Sequence, residues 1–372
     1  MKIAFFADSY RPQINGMVTS IDAFRQQLSR KGHDVHVFAP EGPGYKDKER
    51  NIHRLASFEF APYKEYRIAI PFVSAAGGYD IVHVHSPFSL GIAGIAYARR
   101  NGLPVVGTFH TLFPEYGHYL VSPKLLKLRS VGKLFRKISW SYLSWFYNRC
   151  DRIVAPSVHV KKLMRRNGIT KPIAVIPTGI KLGSHEAKRN KKTLRKRYGF
   201  GDGKIILHVG RVTKEKNIDF VIASLKKTLE GKDARLVIAS DGPYRNELER
   251  RVKKAGLKGR IIFTGYVSKE TLLDYYSLSD ALVIASKTET QGIVLIEAAA
   301  SGLPVIALKT PVASEFIEQT RCGLVSGKNS FHSNVKKILE GKIDIGKPDL
   351  RSYDIKKCTD DLISLYKSAL KK

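Results

Sequence analysis

The sequence predicts an α/β protein of two doubly wound domains, each a parallel sheet flanked by helices. Three observations predict it. Short β-branched runs alternate with helix-length amphipathic stretches from end to end, the pattern of parallel βαβ units. The 372 residues exceed what one ordinary core organises, so two domains of roughly 150 to 200 residues are expected. A polar, strongly basic break at 181–200 separates two series of such units.

In the first half, strands are expected at Ile3 to Asp8, Asp34 to Phe38, Ile81 to His85, Val105 to His110, Arg152 to Ala155 and Ile173 to Ile176. The opening Met1 to Asp8 has a signal-like apolar run, but Asp8, Arg11 and Pro12 interrupt it, so it reads as a buried first strand. A helical pattern over Met17 to Arg30 ends at Lys31-Gly32, with Gly32 at the C-terminal cap. At 181–200, Lys188, Arg189, Lys191, Lys192, Arg195, Lys196 and Arg197 crowd a segment with little apolar periodicity at its start, which reads as a linker. The second half repeats the scheme with strands at Lys204 to Val209, Arg235 to Ala239, Arg260 to Thr264, Ala281 to Ile284 and Pro304 to Ala307. After Gly323 the pattern decays into short elements, and a helix from about Tyr353 to Leu370 closes the chain. The expected division is therefore 1–180, 181–200, 201–350 and 351–372.

Composition narrows the function classes. Hydrophobic residues make up 43% of the chain, and no low-complexity run occurs, so neither half reads as disordered. Nowhere do about 18 consecutive apolar residues occur, which argues against a membrane span. The three cysteines, Cys150, Cys322 and Cys358, have no metal-ligand or redox spacing, which fits a reducing cytosol. The net charge of +31 calls for a polyanionic partner. Between Val121 and Thr170 stand twelve basic residues and one acid, Asp151.

The chemistry-bearing residues stand at the carboxyl ends of expected strands. Glu289 falls in the loop before a helix that opens at Gly292, and Glu297 falls in that helix's second turn, so the two carboxylates address different parts of one extended ligand. The backbone N–H groups of Gly292, Ile293 and Val294 suit a phosphate. A capping glutamate followed by a helix-face glutamate is the plainer alternative. Arg211 and Lys216 leave the second half's first strand and can neutralise a departing diphosphate, unless they belong to a solvated basic loop. In the first half, Asn15-Gly16 permits a close backbone approach. His110 ends a buried strand, either as a donor to a sugar hydroxyl or acceptor or as a satisfied core histidine.

These motifs, Asn15-Gly16, His110, Pro177-Thr178-Gly179-Ile180, Arg211 with Lys216, Asp241-Gly242-Pro243, Thr264-Gly265-Tyr266-Val267 and Glu289 with Glu297, occur in this order over almost the whole chain. The chain thereby resembles glycosyltransferase family 4 (group 1), the large retaining family that includes sucrose synthase-like and phosphatidylinositol mannosyltransferase-like enzymes. The resemblance implies the GT-B fold, two Rossmann-like domains facing a cleft, with the last helix crossing back over the first domain. It implies that Arg211 and Lys216 hold the diphosphate of a nucleotide sugar, Glu297 the ribose, Glu289 the transferred sugar, and the Tyr266-Val267 backbone the base, while Gly16 closes on the phosphate and His110 sits beside the sugar. Departure and attack on one face, assisted by the leaving phosphate, is the expected route, with Glu289 as a second candidate nucleophile. Lys181 departs from the pattern, since an acid usually follows Thr-Gly-Ile or Asn-Gly-Ile, and a hinge contact is thereby in question.

Thr288-Glu289-Thr290-Gln291-Gly292 replaces the usual Glu-Gly-Phe-Gly, and together with Phe109-His110-Thr111, Tyr116, His118 and Tyr119 it resembles enzymes that glucosylate diacylglycerol. The expected reaction moves a hexose, glucose from UDP-glucose, to a membrane lipid such as diacylglycerol, with no required cofactor and no metal. A same-family enzyme with a soluble acceptor and a GDP-mannose or other donor is one alternative. A non-catalytic basic protein that binds membranes or polyanions is another. Val131, Leu134, Phe135, Ile138, Tyr142 and Trp145 recur at helical spacing beside Lys133, Arg136 and Lys137, so Lys124, Lys127, Lys133, Arg136, Lys137, Trp140 and Trp145 are expected to contact anionic lipids on the cytoplasmic face of the membrane. The same stripe could instead pack on the first sheet with its cations in solvent. Nucleic acid is not an expected partner, since no strand carries interleaved stacking aromatics.

Overall fold

The computed structural model describes residues 1–60, 66–71, 77–117, 129–185, 190–231, 233–343 and 345–371. It divides into two compact units, Met1–Gly179 with Ile355–Lys372, and Ile180–Asp354.

The first unit holds a seven-stranded parallel sheet built from β1 (Lys2–Phe6), β2 (Asp34–Pro40), β3 (Ile52–Leu55), β6 (Ile81–Val84), β7 (Val105–Thr108), β8 (Arg152–Ala155) and β9 (Ile173–Val175). Between β3 and β6 lies a separate antiparallel hairpin of β4 (Ser57–Glu59) and β5 (Arg67–Ala69), with Phe58 opposite Ile68. The sheet order is β3-β2-β1-β6-β7-β8-β9. β1 reads as a continuous apolar run because both of its faces are buried. Ile3 and Phe5 pack with Ile21, Phe24 and Leu28 of α1 (Gly16–Arg30), whereas Ala4 and Phe6 pack with Leu90 and Ile95 of α2 (Ser89–Arg100). Asn15 starts α1 by accepting from Val18 N at 3.0 Å, and Gly32 ends it at φ +80°. The next helices are α3 (Arg129–Tyr147) and α4 (Val158–Arg166).

In the second unit the sheet order is β12-β11-β10-β13-β14-β15, with β10 (Lys204–Val209), β11 (Ala234–Ala239), β12 (Ile261–Gly265), β13 (Ala281–Ile284), β14 (Val305–Leu308) and β15 (Gly323–Ser326). This is the 3-2-1-4-5-6 dinucleotide-fold order, and all its strand pairs are parallel. Its helices are α5 (Lys191–Arg197), α6 (Ile218–Glu230), α7 (Arg245–Lys254), α8 (Lys269–Leu278), α9 (Ile293–Ala300), α10 (Pro311–Thr320) and α11 (Phe331–Leu339).

Every strand expected from the sequence is present, shifted by at most two residues at its ends. β3, β15 and the hairpin are additional. Their runs are three or four residues long, and most of their positions are only part-buried, so they carry little periodic signal. The expected linker at 181–200 is corrected in part. Its described residues belong to the second unit, and α5 is pinned there because Lys191 and Arg195 reach Asp280 at 2.8 and 2.6 Å. The last helix, α12 (Ile355–Leu370), belongs to the first unit, where Ile355, Cys358, Leu362 and Tyr366 join the core beneath α1 and Asp360 pairs with Lys31 at 2.7 Å.

Candidate active site

In a doubly wound sheet, ligands lie at the carboxyl ends of the strands where the order reverses. In the second unit that point lies between β10 and β13. Lys216 follows β10, Glu289 follows β13, and Lys216 Nζ donates to Glu289 Oε1 at 2.5 Å, joining residues 73 positions apart. Burial pushes the Glu289 carboxyl up, but the Lys216 charge and hydrogen bond outweigh it and hold Glu289 below the usual carboxylate range. Glu297, on α9, is shifted the other way. Burial raises its pKa, and Tyr276 of α8 donates to its Oε2 at 2.8 Å without cancelling that rise.

Gly292 stands at the N-cap of α9 with φ +76°, a conformation that favours glycine, and a Cβ there would also meet Leu295 Cδ1 at 2.9 Å. The Gly292 side supplies no side-chain cap, and Ile293 and Val294 form the first turn of the helix. Arg211 is shaped by the neighbouring loop. A Cβ on Gly242 would stand 2.4 Å from Val212 O, and Val212 N bonds to Asp241 O at 2.9 Å, so the segments following β10 and β11 are zipped together. Burial lowers the Arg211 pKa, and the Tyr266 hydroxyl hydrogen-bonds its guanidinium. Tyr266 is exposed and Val267 half-buried. His208, on β10, is fully buried; its Nδ1 donates to Val283 O at 2.9 Å, while Nε2 meets no partner among the described residues. Burial lowers its pKa to about 4. A polar ligand at these strand ends would therefore find a preset carboxylate, two cations and an open helix start.

At the corresponding strand ends of the first unit Arg11, after β1, pairs with Asp22 at 2.6 Å, and Asp8 and His110 have other polar partners. Asp8, just past β1, is fully buried and accepts from Ser89 Oγ at 2.7 Å and Leu90 N at 2.8 Å, which ties β1 to the start of α2. Burial raises its pKa against those bonds. Asn15 donates to Ser9 Oγ at 2.8 Å, so Asn15 fixes the loop and caps α1, and Gly16 is its first helical residue. His110, just past β7, bonds through Nε2 to His85 Nδ1 at 3.1 Å, and burial lowers its pKa to about 3. A depression of about 190 Å³ opens beside Asp8, lined by Tyr10, Arg11, Pro12, Pro40, Glu59 and Arg67 among others. The larger depression of the second unit, about 470 Å³, lies at the amino ends of its strands, where Lys204 opens β10 and Pro304 precedes β14, so volume alone does not mark the chemistry.

Of the expected membrane-contact residues, Lys124 and Lys127 lie outside the described residues, as do His118 and Tyr119. On α3, Lys133, Arg136, Lys137 and Trp145 are exposed. Trp140 is a correction: it stacks on Phe109, with ring centroids 6.0 Å apart, and packs against the first unit's core. The expected apolar stripe also divides. Leu134 (57% exposed), Ile138 (60%) and Trp145 (44%) form the outer face, while Ser139, Leu143, Phe146 and Tyr147 turn inward. Arg136 pairs with Glu115 at 2.8 Å. Among the described residues no helix is long and apolar enough to cross a membrane.

Sequence reasoning passed over Tyr276, Asn15 as a cap, and His85. The first has no local signature, but the His83-x-His85 spacing at a strand end was a visible signal.

Residues 14–183 match the family described as Glycosyltransferase Family 4, and 190–349 match Glycosyl transferases group 1. An alpha-monoglucosyldiacylglycerol synthase of Streptococcus pneumoniae is 33% identical over 95% of this chain and 81% of its own length. The chain belongs to this glycosyltransferase family. It is a hexosyltransferase by that membership. A GDP-mannose-dependent alpha-mannosyltransferase of Mycobacterium tuberculosis is 29% identical over 89% of the chain and 85% of its own length. Among solved structures, HepE of Anabaena in complex with UDP and glucose matches with TM-score 0.77 at 16% identity, over 99% of this chain and 100% of that one. A sucrose-phosphate synthase of Thermosynechococcus elongatus matches with TM-score 0.72 at 19% identity, over 99% and 96%. The fold of this glycosyltransferase is GT-B.

Proposed function

We propose that this enzyme transfers glucose from UDP-glucose, with retained configuration, to the free hydroxyl of diacylglycerol or a related membrane lipid. The observation that carries the reading is the Lys216–Glu289 pair, a carboxylate kept ionised at the strand ends where the second sheet reverses, beside the uncapped start of α9. Arg211 and Lys216 would take the diphosphate, with the N–H groups at Gly292, Ile293 and Val294; Glu297, oriented by Tyr276, the ribose; the Tyr266-Val267 backbone the base; and Glu289 a hydroxyl of the sugar. On the first unit, Gly16 would meet a phosphate and His110 a sugar hydroxyl.

In the transfer, the bond from the anomeric carbon to the diphosphate oxygen breaks, and the cations stabilise the charge on the leaving group. The acceptor oxygen attacks the same face, and its proton passes to the departing phosphate oxygen, which preserves the configuration. Nucleotide sugar is thus the only co-substrate proposed, with no metal or other cofactor.

The lipid acceptor is supported by the outer face of α3, where Leu134, Ile138 and Trp145 stand beside Lys133, Arg136 and Lys137. Such a face lies in a headgroup layer, and each cation adds up to about 1 kcal/mol at an anionic surface, so peripheral attachment to the inner face of the cell membrane follows. The similarity to the S. pneumoniae synthase supports the same reading. A mannosyl donor is the second reading, favoured by the mycobacterial relative.

The test is transfer of labelled sugar from UDP-glucose, and separately from GDP-mannose, to diacylglycerol in vesicles with and without anionic phospholipid. A glucosylated lipid that requires anionic phospholipid is the expected product. Mannolipid alone would replace the donor, and transfer only to a small sugar would discard the membrane acceptor.

A further inference from the structure

We infer that His85 is a positioning residue for His110, donating from its Nδ1 to His110 Nε2 and so placing the single proton of His110 on Nδ1. The inference rests on the reading above only in giving His110 a part in the transfer.

Residues 83 and 85 point to one face of the sheet by the two-residue period of a strand. Their rings stack with centroids 4.1 Å apart and planes 27° from parallel, and both are 1% exposed. His110 continues the stack, 5.4 Å from His85 at 25°. The far end is anchored: His83 Nδ1 meets the Tyr366 hydroxyl of α12 at 2.6 Å, and His83 Nε2 meets Thr108 Oγ1 at 2.6 Å. Phe5 closes the flank, edge to face with both His83 and His85. The rings are stacked and do not converge on a point, and among the described residues no group of three metal-ligating side chains is placed to hold an ion.

Burial keeps all three imidazoles neutral, since each pKa is driven well below its ordinary value. A neutral imidazole carries one N–H and one lone pair, so one partner of the His85–His110 bond donates and the other accepts. His85 Nε2 decides which. It is buried and meets no hydrogen-bond partner among the described residues. If His110 donated, the His85 proton would sit on Nε2 as a buried N–H with no acceptor, the rarer and costlier orphan. With His85 Nδ1–H as donor, only a lone pair is left unmatched. His110 then carries N–H on Nδ1, which makes it a hydrogen-bond donor of fixed orientation, with the lone pair of its other nitrogen already engaged.

Nitrogen NMR of the full chain reads the tautomer directly. In the wild type, His110 is expected to show a protonated Nδ1 and an unprotonated Nε2. His85→Leu, which removes the donor, is expected to give His110 a mixed tautomer and to lower kcat by about tenfold to a hundredfold with donor KM little changed. His85→Asn, which sets an amide N–H near the position of Nδ1, is expected to restore most of kcat. A wild-type His110 protonated on Nε2 overturns the inference, and so does an unchanged kcat in a folded His85→Leu protein. The wild-type tautomer is read without any sugar donor, so a proton on Nδ1 supports the inference even if UDP-glucose proves not to be the substrate.

Discussion

At the carboxyl ends of the two sheets, the histidine cluster of the first unit and the ion pair of the second answer burial in opposite ways. In the first unit, buried His83 and His85 and half-buried His110 stack as neutral rings; in the second, Lys216 and Glu289 form an ion pair. Burial alone would neutralise both sets. It prevails over the histidines, where desolvation is the largest cause, and it fails at Glu289 because Lys216 stands within hydrogen-bond distance. Similar strand ends can thus serve as a geometric support in one domain and an ionic one in the other.

Acid should separate the two units most strongly. The folded pKa values of His83 and His110 are lowered to about 3, and that of His85 is lowered as well, against an ordinary 6.5. Below 6.5 the unfolded chain binds protons that the folded chain refuses, so stability is full above that pH and is lost as pH falls. His83 and His110 each contribute about 1.4 kcal/mol per pH unit, or about 2 kcal/mol by about pH 5, and His85 acts in the same direction. The second unit has His208, lowered to about 4, and a lowered Glu289, whose contribution is lost only as pH falls below the usual carboxylate range. Hydrogen exchange from about pH 7 to pH 5 should therefore show the first unit losing protection before the second, and the reverse order would break the comparison.

Next in size is Glu289→Ala, expected to lower turnover by about a hundredfold to a thousandfold with the circular dichroism unchanged. Lys216→Ala should cost nearly as much, and the double variant little more than either alone, because the pair acts as a unit. Additive losses would show two independent residues. The tryptophans of α3 give a smaller contrast. Trp140→Ala, removing a half-buried ring packed against the core, should cost about 2 kcal/mol in denaturant unfolding. Trp145→Ala loses a contact with Arg149, 3.9 Å over its ring, and should cost at most about 1 kcal/mol while weakening binding to anionic vesicles. Equal stability losses would remove the distinction between the inner and outer faces.

The candidate residues were legible because strand ends in this topology gather ligands: Arg211 and Lys216 follow β10, Glu289 and Gly292 follow β13, and Glu297 lies in the helix α9 that comes next. Tyr276 was not, since a tyrosine in an amphipathic helix reads as core, and only packing brings it to Glu297. The stripe on α3 misled in one respect: periodicity gives the angle between residues but not which side meets the sheet, so Trp140 read as surface.

By itself the sequence determined the alternation of strands and helices, the two-domain scale, which polar residues stand near the strand ends, and the family, because these follow from local periodicity and residue type. Tertiary structure alone decided the order of the strands, the return of α12 to the first unit, the pairing of Lys216 with Glu289 and the stacking of His83, His85 and His110. The His85–His110, Lys216–Glu289 and His83–Tyr366 contacts join residues 25, 73 and 283 positions apart, and whether a buried group keeps its charge depends on which partner folding sets beside it.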